Sequence, residues 1–597
     1  MATMTMNRDE KIYPIKRWLG LNQNRDGDTK LKMGEAAVME NWRITRDGNL
    51  RRRPGTELME SIGTGEVKRL WSGMVAEREC VLAACDGKLY RLFDGADWNK
   101  TELGAVSTTG DVFIFGFDSK AYIMDGESYK VYDGSTLKAV EGYRPLVVTA
   151  AVPGGGGTSL EQVNKLNGLR RVQYSPDGAA LTYFLPEQNI ASVDYAKNLV
   201  TGAAITGYSV DKTAGTVTFT SAPAKGINTV EIGYTVSTTF RSTVEKMRYA
   251  ELYNGTQDSR VFLYGDGSNE VFYSGLDTDG FGRADYFPDM NEAAIGESNT
   301  PVTALIRHSG RLMAFKTNGA YSIVYGSMTL ADGSVIATFN VTAVNKAIGN
   351  VAPGQAQLVL NYPRTLFGED VYEWRGSSTY VTADERLAKR ISDRVQTALR
   401  SFVAEDCKCW DDNDAQEYYI CYGNTAVVNN YAVDAWYVYT NFDAKALCNF
   451  RGELFMGTSD GRVLRVSDLV RTDCGKPIPA YWESGSMDFG ADYMRKYTSM
   501  IWVSVKPESN SHVEITIKTD RKSEFPVKVI AKAISAFGNM NFAAFSFITS
   551  SRPYITRLRI KAKKYAYYKL IFQSSEPDTT ATVLAADIRV RQTGYAK

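Results

Sequence analysis

The chain has 597 residues, of which 44% are apolar and 23% charged, and a chain of this length usually divides into several domains of about 100 to 200 residues. Its formal net charge of +1 excludes the strongly basic nucleic-acid-binding proteins, and we expect no broad stripe of Lys and Arg. The N-terminus lacks the apolar region of a signal peptide, and no segment approaches the roughly 18 apolar residues of a membrane-spanning helix. We therefore expect no membrane span and synthesis in a cytoplasm-like compartment.

The first elements in chain order are irregular. Residues 1–64 are predicted to form an extended N-terminal arm that packs on other parts of the protein, with one short helical pattern at Lys32–Trp42. Over residues 65–145, short apolar or aromatic strands alternate with tight Gly, Asp and Asn turns, as in Asp86–Gly95, Ala121–Gly126 and Lys130–Gly134. Recurring hairpins are typical of a β-propeller, in which each sheet buries its faces against its neighbours. This segment is predicted to be the first part of a propeller.

A glycine-rich linker at Pro153–Thr158 interrupts the hairpins, and residues 146–240 are predicted to be an inserted small β domain. The hairpins resume over residues 241–480, the remainder of the propeller, as in Gly310–Lys316 and Gly452–Gly461. One helix is predicted there, at Thr382–Phe402, from apolar residues spaced by four.

Residues 481–597 contain strands with one polar face, and this alternation predicts a C-terminal β-sandwich. The fold class is therefore mainly β, with few helices: a β-propeller that carries an inserted β domain and is followed by a β-sandwich.

The usual catalytic and metal-binding patterns fail in this sequence. The chain has only two histidines, His308 and His512, which argues against Ser/His or Cys/His catalysis, and Cys407 and Cys409 lack the second ligand pair of a zinc site. The seven cysteines are expected to be reduced structural thiols. Asn22–Asp28 resembles the start of a calcium-binding loop but has Met33 where the bidentate glutamate belongs. We predict no catalytic, cofactor-binding or metal-binding residue and no cofactor.

Carboxylates are the only catalysts that the sequence offers. Asp411–Asp414, Glu369–Asp370 and Asp277–Asp279 contain neighbouring acids of the kind used to cleave glycosidic bonds. Aspartate is also common in turns, because its side chain accepts hydrogen bonds from nearby backbone N–H groups. The turn interpretation also applies to Asp177 and Asp460, and we predict a protein that is not an enzyme.

The densest basic cluster is Arg51-Arg52-Arg53. It is interpreted either as a contact to a phosphate or a partner carboxylate, or as the solvated end of a strand.

An ordered series of motifs gives the chain a resemblance to a known family. The opening motifs precede a hairpin region in which further motifs follow in the same order. They are Gly20–Asn22, Gly34–Glu35, Glu40–Trp42, Gly48–Gly55, Tyr253–Gly255, Asp258–Gly265, Tyr273–Leu276, Asp285–Pro288, Ile295–Gly296, Pro301–Leu305, Leu312–Lys316, Tyr321–Ile323, Ile348–Gly349, Leu366–Gly376, Arg390–Ser392 and Trp436–Tyr437. The series resembles the tail tube nozzle or tail-stabilisation proteins of short-tailed bacteriophages. The similarity covers most of residues 10–475 and is weakest over 146–240.

This resemblance implies a structural virion protein of the phage tail, assembled in the cytoplasm of the bacterial host. Six subunits are implied to form a homo-oligomeric ring that extends the tail below the portal and adaptor proteins. The ring would surround the DNA channel, retain the packaged genome, help its ejection and contact tail fibres or plug proteins. The inserted domain and the loops at 277–300 and 327–340 are the candidates for gating. Two alternatives stay open: a propeller glycosidase of the tail and a carbohydrate-binding adhesin, both acting on host surface polysaccharide.

Overall fold

The computed structural model describes residues 10–23, 28–255, 257–329, 335–375, 388–508, 510–532 and 552–595. These residues form mainly β-strands in many small sheets, which confirms the mainly β class. Their helical segments are short: Arg241–Glu245, Gln396–Leu399 and the 3-10 turns Asp28–Lys30 and Ala404–Asp406. None of the helices in the described part of the chain is long and apolar enough to cross a membrane. The chain divides into two compact units, residues 1–72, 364–373 and 389–597, and residues 73–363 and 374–388.

The recurring structure is a sheet of four antiparallel strands in consecutive chain order. Five such sheets occur among the described residues. Their strands are Val67–Val75, Arg78–Cys85, Lys88–Asp94 and Trp98–Ala105; Phe113–Phe117, Lys120–Met124, Tyr129–Tyr132 and Leu137–Ala139; Tyr249–Asn254, Gln257–Tyr264, Glu270–Tyr273 and Glu292–Ala294; Val302–His308, Arg311–Lys316, Gly319–Thr329 and Val335–Asn345; and Gln357–Val359, Tyr362–Phe367, Asp370–Trp374 and Ala388–Arg390.

Turn chemistry explains the predicted hairpins, which the strand pairing confirms. Two residues with positive φ connect the strands: Asp86 (50°) and Gly87 (72°) in one hairpin, Ser309 (50°) and Gly310 (74°) in another. Turns with positive φ at both central residues match the right-handed twist of the flanking strands. Asp and Gly adopt this conformation at low cost, so the sequence signal is direct.

Residues 146–240 form two sheets around their own core. The larger sheet contains Leu146–Ala151, Thr158–Ser159, Leu169–Tyr174, Ser192–Asn198 and Val230–Thr235, and the smaller contains Thr182–Phe184, Tyr208–Asp211 and Thr216–Phe219. Tyr174, Tyr183 and Ile232 are fully buried in this core. The amide of Asn164 donates to the carbonyls of Tyr143 and Asp285 and so ties the module to the neighbouring four-stranded sheet.

In the other unit, two further runs of consecutive strands belong to larger sheets. One run, Lys408–Asp412, Glu417–Tyr422, Thr425–Asn430 and Ala435–Thr440, continues through Glu35–Glu40 to Ala480–Ser484, Tyr568–Ser574, Ser511–Thr519 and Lys528–Lys532, and Gly20–Leu21 pairs with Glu35–Glu40. The other run, Ala446–Phe450, Glu453–Gly457 and Arg462–Ser467, is completed by Gly55–Ser61 from the start of the chain and by Thr472–Asp473 and Lys476–Pro477. A third sheet contains Trp42–Ile44, Leu50–Arg52, Thr582–Tyr595, Met494–Val505 and Tyr554–Tyr565, with Glu10–Ile15 paired to Thr582–Tyr595.

The helical pattern predicted at Lys32–Trp42 is wrong. The segment contains the strands Glu35–Glu40 and the start of Trp42–Ile44, separated by Asn41 at a φ of 57°. Glu35–Glu40 pairs with Ala480–Ser484, and Ala36 and Met39 are buried. Pairing with strands far along the chain overrides the local helical propensity.

The helix predicted at Thr382–Phe402 is also wrong in the part that the structure describes. Residues 382–387 lie outside the described residues, Ala388–Arg390 is a strand, and only Gln396–Leu399 is helical. Val395 and Leu399 are buried, as their spacing suggested, but the helix is a single turn.

Candidate functional site

The acids at Asp277–Asp279 and Glu369–Asp370 have structural partners. Asp277 accepts hydrogen bonds from the backbone N–H groups of Asp279 (3.1 Å) and Phe281 (2.9 Å), which is an Asp-capped turn. Asp370 accepts a hydrogen bond from the Ser392 hydroxyl at 3.0 Å, and Glu369 pairs with Arg400 at 2.8 Å. Asp177 similarly accepts two N–H groups of its own turn.

The strand Lys408–Asp412 directs Asp411 and Asp412 to opposite faces, because successive strand side chains alternate. Asp412 accepts hydrogen bonds from the Asn449 amide (2.8 Å) and from the N–H groups of Asp414 and Ala415 (both 3.2 Å). These bonds describe a carboxylate that holds a hairpin turn. The two acids therefore do not face one substrate.

Asp411 is the most perturbed of the predicted carboxylates. It is buried, and desolvation raises its pKa to about 6, although the Tyr431 hydroxyl and the Arg364 charge oppose the shift. Arg364 itself forms a 3.0 Å ion pair with Glu373 and donates to the Asn429 amide oxygen at 2.9 Å. A raised carboxyl pKa is a property of a general acid, so Asp411 is the residue that a glycosidase interpretation would require.

On the other face, a pocket of about 360 Å³ is lined by Arg43, Asp412, Glu417 and Asp468. Glu417 is buried and accepts the hydroxyls of Tyr419 (2.6 Å) and Tyr437 (2.5 Å), with Arg43 at 3.9 Å. Burial raises the pKa of Glu417, and the Arg43 charge opposes it.

Asp468 completes this network. Its carboxylate accepts two hydrogen bonds from the Arg43 guanidinium. Burial alone would raise the pKa of Asp468, but the charges of Arg43 and Arg51 outweigh it and lower the pKa. The pocket wall is thus an ion-pair network that joins strand Trp42–Ile44 to the hairpin sheets.

Both interpretations of the basic cluster Arg51–Arg53 are wrong for two of its three residues, since Arg52 and Arg53 are each only 3% exposed. Arg53 pairs with Asp473, and Arg52 donates to the carbonyls of Arg471 (2.9 Å) and Glu576 (3.1 Å). Arg51 lies 3.5 Å from Asp468. These cations fix the start of the chain to its later strands.

Among the described residues, the cysteine pair belongs to no group of three or more potential metal ligands. Cys407 and Cys409 are buried, and desolvation raises the pKa of both thiols, that of Cys409 to about 12. Burial in apolar surroundings is typical of structural thiols. The sequence reasoning missed a different group, in which donor atoms of His512, Glu514 and Glu576 lie within 4.8 Å of one another. In the sequence, only the alternation of His512 and Glu514 indicated this group, because Glu576 lies far from both along the chain.

The segments predicted as gating loops differ in structure. Within 277–300, Phe281 and Met290 are 71% and 72% exposed. Within 327–340, the described residues belong to the strands Gly319–Thr329 and Val335–Asn345, paired as far as Thr329 and Val335, and residues 330–334 lie outside the described residues. The described residues of this segment are therefore paired strands and not a loop.

No protein-family model matches the chain, and no curated protein matches it. Among solved structures, the computationally designed Ika8 protein aligns at 11% identity and a TM-score of 0.32, over 69% of this chain and 99% of that chain. BBS1N, solved in complex with ARL6DN, aligns at 10% identity and a TM-score of 0.23, over 70% and 98%. An exo-beta-1,3-galactanase from Phanerochaete chrysosporium aligns at 10% identity and a TM-score of 0.17, over 80% and 95%. Likenesses this low carry no argument about function.

Proposed function

We propose that the chain is a structural virion protein, one subunit of a six-membered ring that forms the nozzle of a short phage tail. The ring conducts DNA, retains the packaged genome and helps its ejection. The observation that carries the proposal is the strand Gly55–Ser61, which pairs with Arg462–Ser467 and so completes the last hairpin sheet with residues from the start of the chain. This arrangement is typical of a closed propeller, a rigid scaffold for a wall.

In this proposal, the propeller blades are the five four-stranded sheets and the two further runs, the second of which Gly55–Ser61 completes. The module at 146–240 is an insertion, and the last strands form a sandwich. Burial between successive sheets supports the blades. One core joins Tyr122 and Met124 to Leu263 and Phe272 of the next sheet. Another joins Phe262 to Leu312 and Ile323 of the sheet after it.

Several residues of the family-like motifs form hydrogen bonds or packing contacts between sheets, and this favours a structural role. The Tyr253 hydroxyl donates to the Gly310 carbonyl at 2.9 Å and accepts the Tyr325 N–H at 2.9 Å. Lys316 is fully buried and donates to the carbonyl of Ile295 at 2.8 Å. Trp374 packs on Phe315 with ring centroids 5.2 Å apart. None of these contacts presents a reactive group to a substrate.

The ring is tested by electron microscopy of the purified chain and of phage particles that carry it. We expect a ring of six copies and matching density at the end of the tail. A chain that stays monomeric at all concentrations, together with tail density that excludes it, contradicts the proposal.

The glycosidase alternative depends on Asp411, because its raised pKa is the observation that favours it. We expect no release of reducing sugar from host polysaccharide by the wild-type chain. Turnover that is abolished in Asp411→Asn but kept in Asp434→Asn, an exposed acid of the same sheet, would establish the enzyme instead. The adhesin alternative predicts that the isolated chain binds host cells.

A further inference from the structure

The outer face of the sheet near the C-terminus carries cations in rows. The strands Met494–Val505, Tyr554–Tyr565 and Thr582–Tyr595 contain nine Lys and Arg residues and one acid, Asp587. Alternate residues of Tyr554–Tyr565 are exposed, among them Arg557, Arg559, Lys561 and Lys563. Alternation along a strand places their charges about 7 Å apart on one face.

The strand Met494–Val505 lies between the other two strands, and its register places an aromatic or thioether side chain beside their charged residues. Tyr497 pairs with Lys563 on one side and Arg591 on the other, and the Arg591 guanidinium lies 5.6 Å from the Tyr497 ring centre. Met500 lies between Arg559 and Arg589, and Trp502 between Arg557 and Asp587. Tyr497 and Trp502 are partly exposed.

The charge of this face is largely uncompensated. Arg589 is paired with Glu10. Among the described residues, Arg557, Arg559, Lys561, Lys563 and Arg591 form no ion pair.

At one end of the face, a groove of about 720 Å³ continues the positive charge. It is lined by Arg495, Arg521, Lys563, Lys564, Arg591 and Tyr595, and the described residues of its wall include no acid. Tyr595 is 77% exposed and stacks on Tyr493 with ring centroids 6.5 Å apart. Cations and exposed rings thus recur together in the groove.

We propose that this face, Arg557 to Lys563 with Tyr497, Trp502 and Arg591, binds the phosphate backbone of DNA. Regularly spaced cations match a linear phosphate polyanion. The rings between them distinguish nucleic acid from an anionic lipid, because bases and sugars pack on aromatic side chains whereas lipid headgroups offer no planar partner. The expectation from net charge, that the chain has no Lys and Arg stripe, is therefore wrong for this strand.

The proposal shares its DNA partner with the proposed function, and it does not need the ring. The full-length chain is titrated with labelled oligothymidylate and with a labelled duplex, between about 50 and 200 mM salt, and fluorescence anisotropy is measured. We expect log K to fall linearly with log salt. Arg559→Gln/Lys563→Gln should lower the slope by about two and weaken low-salt binding at least about tenfold, since each removed phosphate contact changes the slope by about one.

The matched control is Lys212→Gln/Lys225→Gln, which removes two exposed cations of the inserted module and should leave binding within about twofold. Tyr497→Leu keeps an apolar side chain and should weaken oligothymidylate binding at least about fivefold, and more than duplex binding. Circular dichroism checks the fold of each variant, and Lys561→Gln, an exposed single change, replaces the double variant if that one misfolds.

Three results overturn the proposal: no salt-dependent binding, equal losses in the variant and the control, or tighter binding to phosphatidylglycerol vesicles than to DNA. A chain that binds DNA but forms no ring rejects the nozzle and keeps this inference. A chain that forms a ring but does not bind DNA in this assay rejects this inference and keeps the nozzle.

Discussion

At the scale of single residues, Asp411 shows how burial alone produces a candidate catalyst. Its pKa of about 6 lies above the ordinary value near 3.8, so the folded state binds the proton more tightly and stability falls as pH rises from about 4 to 6. Asp411→Asn removes the buried charge, and we expect it to raise the free energy of unfolding at pH 7 by roughly 3 kcal/mol, from about two pKa units, with no gain below pH ~3.5. Urea unfolding at both pH values measures this. Asp434→Asn, at an exposed turn of the same sheet, should change neither value, and a loss of stability in Asp411→Asn at pH 7 would contradict the prediction.

At the scale of elements, the strand Gly55–Ser61 depends on the absence of a side chain at its first residue. A Cβ at Gly55 would lie 2.4 Å from the Thr472 carbonyl oxygen and 2.8 Å from that of Val470, both backbone atoms. Gly55→Ala should therefore lower the free energy of unfolding by about 1–3 kcal/mol, the usual cost of overpacking. Gly154→Ala is the control, because no atom lies within 4 Å of its Cβ position, and its effect should stay within about 0.5 kcal/mol. Urea unfolding measures the free energy of unfolding of both variants. Equal effects would show that the strand Gly55–Ser61 can shift to make room for the added methyl group, and would contradict the prediction.

At the scale of the whole molecule, the module at 146–240 has its own sheets and its own buried core. The isolated fragment should therefore unfold cooperatively on heating, as followed by circular dichroism. Within it, Ile232→Ala should cost about 2–5 kcal/mol because Ile232 is fully buried. Ile227→Ala should cost almost nothing, because Ile227 is 84% exposed. A fragment without a cooperative transition would mean that the module needs its neighbours to fold.

The sequence predicted what local chemistry determines and missed what distant partners determine. Hairpin turns such as Asp86-Gly87 could be read directly, because positive φ selects Asp and Gly. The burial of Arg53 could not be predicted from the sequence, because its partner Asp473 lies 420 positions away. The basic face was visible as the alternation Arg557, Arg559, Lys561, but the net charge of the whole chain concealed it. The order Asp411–Asp414 did not reveal that Asp411 and Asp412 lie on opposite faces, because that depends on the strand Lys408–Asp412.

The pairing of Gly55–Ser61 with Arg462–Ser467 also has a consequence for the order of folding. Glu57 and Arg465, which form an ion pair across these strands, are 408 positions apart in the chain. At a synthesis rate of about 5–20 residues per second, the first strand waits roughly 20–80 s on the ribosome before its partner exists. Contacts of such long sequence separation form slowly, and an unpaired strand is exposed to pairing with other chains in the meantime. The yield of folded protein should therefore depend on translation speed and on chaperones that cover this strand until synthesis is complete.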